Sequence, residues 1–347
     1  MNYYVGLVGT GAAAELHASA LDKVTGATLE AVCSRTKKNG AEFAKKWNID
    51  YFSDFKKLIS LEKIDFISIC TPTGTHSQFA IPAAEAGKNL VIEKPLETTP
   101  ERCDKILNAA EKHGIQLSVI FQNRFKSPVK RIKGAVEEGN LGQLVIGKAE
   151  INWYRSEDYY SNNWKGTKKY DGGGALINQG IHTIDLLQWM LGKVVKVNGN
   201  VKILKHEIEG EDAGVATLEF AHGGLGIVTG STAVYPGLEE HLGLYGTQGS
   251  IELKGNKITT WETSAKDTGR KPEGESSEAG TSGASAATDV DSKNHQTQWR
   301  EILDRTEKGG KPPVSGREAR KSVEIINAIY KSSRIGQNVT IDNDYSY

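Results

Sequence analysis

The chain has 347 residues, and 43 Lys and Arg balance 43 Asp and Glu. At roughly 100–200 residues per domain this length points to about two domains, and 38% hydrophobic with 25% charged residues is globular rather than disordered or fibrous composition. Zero formal net charge supplies no long-range pull toward nucleic acid or an anionic membrane, so neither partner is expected.

Cys33, Cys70 and Cys103 are odd in number and far apart, without a C-x-x-C pair. That pattern argues against a disulfide framework and fits a reducing, cytoplasmic setting. Met1 to Val8 read directly as a strand with no secretory leader ahead of it. No apolar run approaches the roughly 18 residues of a membrane helix.

Along the first 120 residues, short apolar strands alternate with helical stretches. Strands are expected at 4–8, 28–33, 66–70, 89–92 and 116–121, and helices at 13–24, 38–47, 77–86 and 100–113. This rhythm predicts a doubly wound parallel sheet with helices on both faces, an α/β domain over 1–122. A helix at 128–138 and a strand from 144 follow. The segment 175–191 is strongly helical, and 194–261 is strand and turn without intervening helix. The second domain, 123–347, is therefore expected to be α+β with an open, largely antiparallel sheet. Residues 263–292, rich in Ser, Gly, Ala and Glu, read as an exposed mobile loop, and helices are expected again at 295–307 and 316–333.

Gly9-Thr10-Gly11-Ala12-Ala13-Ala14 sets G-x-G-x-x-A between the first strand and the first helix. Gly9 permits the tight turn. Gly11 lets a pyrophosphate approach the backbone at the positive helix N-terminus, and Ala14 allows close packing of helix on strand. The second strand ends Cys33-Ser34-Arg35-Thr36, without the carboxylate that usually meets the adenosine ribose. A hydroxyl and a guanidinium suit a 2′-phosphate, which favours NADP(H) slightly over NAD(H); stacking of Arg35 on the adenine is the alternative.

Two further segments are Val91-Ile92-Glu93-Lys94-Pro95-Leu96 and Gly172-Gly173-Gly174-Ala175-Leu176-Ile177-Asn178-Gln179-Gly180-Ile181-His182. With the glycine loop and Cys70-Thr71-Pro72-Thr73…His76, they resemble the Gfo/Idh/MocA family of NAD(P)-dependent oxidoreductases over nearly the whole chain. The resemblance implies an N-terminal Rossmann domain and a C-terminal sheet domain used for homodimer or homotetramer contacts. It also implies sugar, inositol or sugar-nucleotide substrates. The family's E-K-P lysine falls on Lys94, near the nicotinamide, with Glu93 beside it. Its D-x-x-x-H pair falls on Asn178 and His182, with Asn where Asp is commoner. A branch resembling UDP-N-acetylglucosamine-type 3-dehydrogenases shares that Asn, and Tyr159-Tyr160…Trp164-Lys165-Gly166 is similar to its aromatic stretch.

Asn178 and His182 stand i and i+4, one turn apart on a helical face, with Asp185 three residues beyond. His182 suits a general base near neutral pH and Lys94 suits stabilisation of charge on the reacting oxygen, though the two roles can be exchanged. Asn178 carries no transferable proton and is expected to orient.

Thr71, Pro72 and His76 follow a strand at its C-terminal edge, where they serve either cofactor contact or turn chemistry. Arg124, Tyr154, Trp164, Lys165 and Asp185 are candidates for substrate contact; Lys165 would grip a phosphate or carboxylate, or else sit solvated in a loop. The histidines show no ligand spacing, so no metal is expected. The favoured reading is a dehydrogenase acting on CH–OH groups of a carbohydrate-like substrate. Two others are a glycosidase-like lyase using transient C3 oxidation and a non-catalytic dinucleotide-binding regulator.

Overall fold

Val5, Leu7 and Val8 are shut off from solvent in β1 (Tyr3–Val8), as a continuous apolar run demands of a strand covered on both faces. The computed structural model describes residues 1–161, 164–264 and 292–341. After β1 come α1 (Ala12–Leu21), β2 (Ala27–Cys33), α2 (Lys37–Trp47), β3 (Asp50–Phe52), α3 (Phe55–Ile59) and β4 (Phe66–Ile69). Then follow α4 (His76–Glu85), β5 (Asn89–Ile92), α5 (Pro100–Lys112) and β6 (Leu117–Val119). The six strands form one parallel sheet in the order β3-β2-β1-β4-β5-β6. The order reverses between β1 and β4, and a doubly wound sheet binds its ligand at the carboxyl ends of the strands flanking that reversal.

The second half of the chain supplies α6 (Ser127–Glu137), β7 (Leu144–Asn152), the short α7 (Glu157–Tyr160), a π-helical turn at Ala175–Gly180, and α8 (Ile181–Leu191). Six strands follow: β8 (Val194–Lys202), β9 (Ala213–Phe220), β10 (Leu225–Ser231), β11 (His241–Gly246), β12 (Gly249–Lys254) and β13 (Lys257–Thr263). The chain ends in α9 (Lys293–Glu307), α10 (Gly316–Ile335) and β14 (Val339–Thr340). The second sheet runs β13-β12-β11-β7-β10-β9-β8-β14 and is antiparallel except between β7 and β10. One of its faces is buried through Ala149, Ile151, Val228, Leu218 and Leu242. Leu187 and Leu191 of α8 lie so close to Gly147 of β7 that a side chain there would collide with both.

Three features differ from the sequence expectation. First, the chain forms two units, Met1–Gln122 with Asp291–Arg320 and Asn123–Val290 with Lys321–Tyr347, so 123–347 is not one continuous domain. The returning helix α9 belongs to the first unit. There Trp299 is fully buried, edge-on to Phe66 and to His17, and Gln298 donates to the Val119 carbonyl at 2.7 Å. Second, β3 and α3 are too short for a periodic signal and were not foreseen. Third, the helix expected over 175–191 is π-helical before it is α-helical. Of the loop expected at 263–292, residues 265–291 lie outside the described residues. Among the described residues no helix is long and apolar enough to cross a membrane.

Candidate active site

In the first unit the glycine loop follows β1 at the reversal point. Gly9 adopts φ 107°, its N–H donates to the Cys33 carbonyl at 2.9 Å, and a Cβ there would stand 2.7 Å from the Cys70 carbonyl oxygen. It is thus wedged between the chains leaving β2 and β4. Gly11 begins α1 with φ −85° and ψ −172°, extended backbone open to any residue, and a Cβ on it would enter empty space. Among the described residues no side chain caps this helix, and Ala12 beside it is exposed. The first N–H groups of a helix lack partners within it. Uncapped and beside an exposed, side-chain-free Gly11 with open space around it, they fit the close approach of a dinucleotide pyrophosphate. Arg35 is exposed just past β2, and the Ser34 carbonyl accepts from Tyr51 Oη at 3.2 Å.

Thr71 and Pro72 follow β4 and are half-buried. The Thr75 hydroxyl donates to the Pro72 carbonyl at 2.6 Å and lies 2.8 Å from the Thr71 hydroxyl, from which it accepts. His76 is buried, with Nδ1 3.1 Å from the Leu96 carbonyl and Nε2 2.9 Å from the Thr71 carbonyl. Its ring braces the two turns, the turn chemistry entertained for it. After β5 the Lys94–Pro95 peptide is cis and Lys94 is half-buried. Glu97, two residues beyond that proline, is fully buried and receives Arg102 through Nε and Nη2 at 2.8 and 2.7 Å. The Glu93 carboxylate faces His17 and His295, whose ligand-type atoms all lie within 4.8 Å of one another. Sequence spacing gave no hint of this grouping.

In the second unit the run Gly172–Gly174 is pressed against 210–211. The Ala175 N–H donates to the Glu211 carbonyl at 2.8 Å, and the Glu211 carboxyl accepts from Gly174 N, Leu176 N and Tyr330 Oη at 3.0, 2.7 and 2.9 Å. Burial pushes that carboxyl up to about 7 against these bonds. It anchors the π-helical turn, a deviation often found at functional sites.

Asn178 sits on this turn and His182 on the first turn of α8, both half-buried. The Asn178 amide donates to Asp171 Oδ1 and accepts from Gln179 Nε2 at 2.7 Å. Gln179 also donates to Tyr159 Oη at 2.7 Å and accepts from Arg155 Nη2 at 2.8 Å. Asp171, Gln179 and Arg155 are thereby tied to the candidate residue Asn178, a connection that sequence reasoning missed. Only Asp171, abutting the glycine run, carried a readable signal. The Lys165 ammonium lies 3.6 Å from the Tyr159 ring centroid, and burial, with Arg155 nearby, draws its pKa down. Lys205 covers the Tyr154 ring at 4.0 Å. Trp164 is half-buried in the turn before Thr167, which donates to its carbonyl.

Arg124 and Asp185, both expected to contact substrate, meet each other. Both are buried, and the guanidinium meets the carboxylate through two 2.7 Å bonds, with Ser322 Oγ donating at 3.1 Å. Each of the two proposed substrate contacts therefore already meets the other. Removing one partner of such a buried pair strands the other charge.

The family models agree with this geometry. Residues 3–121 match the oxidoreductase family, NAD-binding Rossmann fold, and residues 129–252 match the GFO/IDH/MocA C-terminal domain. The chain belongs to the Gfo/Idh/MocA family. It is 29% identical over 268 residues to the oxidoreductase YrbE of Bacillus subtilis, covering 76% of each chain. It is 27% identical over 262 residues to myo-inositol 2-dehydrogenase of Thermotoga maritima, covering 74% of this chain and 76% of that one. The solved WlbA dehydrogenase from Bordetella pertussis, in complex with NADH and UDP-GlcNAcA, superposes with a TM-score of 0.87 at 27% identity, covering 99% of this chain and 100% of that one. The protein is an NAD-binding dehydrogenase of this family.

Proposed function

We propose that the enzyme oxidises a secondary alcohol, or reduces the matching ketone, of an anionic sugar derivative such as a sugar nucleotide. The observation that carries the substrate class is the second unit's network. Arg155 and Lys165 flank the Tyr159 ring and Lys205 covers Tyr154, three cations beside the carboxylates of Asp171, bonded to Asn178, and Asp212, bonded to the Lys205 backbone. Aromatic faces suit a sugar ring, and surplus cations suit a carboxylate or phosphate. The anionic ligand named for the Bordetella relative supports the same class.

When bound, the nicotinamide supplies the hydride acceptor or donor. Lys94 and His182 handle the proton on the substrate oxygen, one as acid/base and the other stabilising developing charge. Asn178, tethered between Asp171 and Gln179, fixes an amide in the same group and moves no proton. The Ser34-Arg35 pair, with no acid at that place, supports NADP(H) slightly over NAD(H). Exposed Ile146, Leu225, Ile227 and Val215 share the open face of the second sheet, which supports self-association there.

The test is an absorbance screen of sugars, inositols, sugar acids and sugar nucleotides against NAD and NADP. His182→Ala is expected to lower kcat about 10²–10⁴-fold on the substrate found. Wild-type kcat in that variant would overturn the assignment, and turnover confined to neutral sugars would overturn the anionic class.

A further inference from the structure

Five side chains of the first unit, from four segments far apart along the chain, meet under the E-K-P turn. His17 of α1 is fully buried, with Nε2 3.1 Å from Glu93 Oε1 and Nδ1 2.7 Å from Ser68 Oγ on β4. His295 of α9 is 1% exposed, with Nε2 3.5 Å from the same Glu93 oxygen. The other oxygen, Oε2, accepts the Lys94 backbone N–H at 3.1 Å. Cys70 Sγ lies 3.7 Å from Ser68 Oγ.

The donors run in one consistent direction. The Glu93 carboxylate can only accept, so a neutral His17 ring carries its proton on Nε2 and takes the Ser68 O–H at Nδ1. Burial favours that neutral ring, drawing His17 below the usual histidine value. Burial also opposes the Glu93 charge, but bonds from both histidines outweigh it and hold the carboxyl well below its ordinary range. A buried carboxylate is tolerable only where such donors converge on it. The His17 ring is fixed further, edge-on to His295 at 5.6 Å and to Trp299 at 5.8 Å between centroids.

We propose that His17 and His295 are positioning residues for Lys94. Their Nε2–H groups clamp one oxygen of Glu93, whose other oxygen holds the Lys94 main chain, so α1 and α9 set where the lysine stands. This rests on the reading of Lys94 as a residue acting at the substrate oxygen. It also explains why the chain returns to the first unit with a histidine two residues into α9. Nothing in the family match or in the relatives' names assigns either histidine a role.

The experiment compares His295→Phe, which keeps a ring against His17 but has no N–H, with His295→Gln, whose amide can still donate to Glu93. His295→Phe is expected to lose about 10- to 100-fold in kcat, as a small misplacement of a reacting group does, while KM stays within about threefold. His295→Gln is expected to recover most of the loss. Independently of any substrate, the rate at which acetic anhydride acetylates Lys94, read by mass spectrometry against exposed Lys37 and Lys38, is expected to change in the Phe variant and return in the Gln variant. Unchanged kcat and unchanged Lys94 labelling in His295→Phe overturn the proposal, as does a loss that Gln fails to rescue. Stoichiometric metal in the purified protein, removed by a chelator with loss of thermal stability, also overturns it by making the cluster a coordination site. Wild-type kcat in Lys94→Ala would instead retire the functional reading, and the labelling comparison would still judge the clamp.

Discussion

The molecule contains two glycine-rich loops, and they use glycine for opposite reasons. Gly11 opens α1 with extended backbone, and a Cβ there would touch nothing within 4 Å. Gly174 likewise has negative φ, −136°, yet a Cβ there would overlap the Glu211 carbonyl group. Neither needs a left-handed backbone. The first leaves open space where a side chain would stand, and the second is glycine because the fold's own main chain already occupies that place. The letters G-x-G and G-G-G carry no such distinction; only the neighbours across space do.

The largest effect expected from this contrast is on stability. Gly174→Ala pushes a methyl group into backbone that cannot swing aside, since the Glu211 carbonyl is held by Ala175 N–H and its carboxyl by Gly174 and Leu176 N–H. A cost of about 3 kcal/mol or more follows, or outright failure to fold. Urea titration with tryptophan fluorescence reads it. A Gly174→Ala protein as stable as wild type would erase the difference between the loops.

Glu211 gives the closed loop a pH signature as well. Its carboxyl is pushed up to about 7 in the folded chain from an ordinary 4.5. Below 4.5 it is protonated whether the chain is folded or not, and its contribution is fully present. Between 4.5 and about 7 the folded chain keeps a proton that the unfolded chain releases, so this contribution is lost as pH rises. The loss amounts to about 3 kcal/mol once pH exceeds the folded value. Glu211→Gln stays neutral throughout. The gap between the wild-type and variant unfolding free energies is therefore expected to move in favour of the variant from pH 5 to 8. Parallel curves across that range would show that the buried carboxyl does not titrate there.

Legibility in the sequence followed the range of the contacts. The strands of the first sheet were plain because buried-on-both-faces runs such as Phe66–Ile69 and Asn89–Ile92 announce themselves within four residues. The glycine loop, Lys94, Asn178 and His182 were legible as local strings. What failed to show was pairing across distance. Arg124 finds Asp185 61 residues away, and His17 finds Glu93 76 residues away. No periodicity encodes such meetings, so neither the Arg124 partner of Asp185 nor the Glu93 contact of His295 could be read from the sequence. The π-helical turn escaped for another reason. Its cause is the Glu211 carboxyl bonding the backbone of Gly174 and Leu176, so its apolar pattern resembled any helix start.

The smallest effect on stability is expected at the open loop, and there it separates ligand from fold. Gly11→Ala adds a methyl group to exposed, extended backbone with no neighbour within 4 Å, so the unfolding free energy should shift by less than about 0.5 kcal/mol. The same methyl is added at the residue that opens α1, whose uncapped terminus draws a pyrophosphate's charge. Weakening those charge-assisted bonds should raise the Kd for NADH or NADPH about tenfold or more. Titration by nucleotide fluorescence measures it. A variant that binds dinucleotide as well as wild type would mean that the phosphate contacts lie elsewhere than at α1. If stability fell instead, the open loop would resemble Gly174 after all.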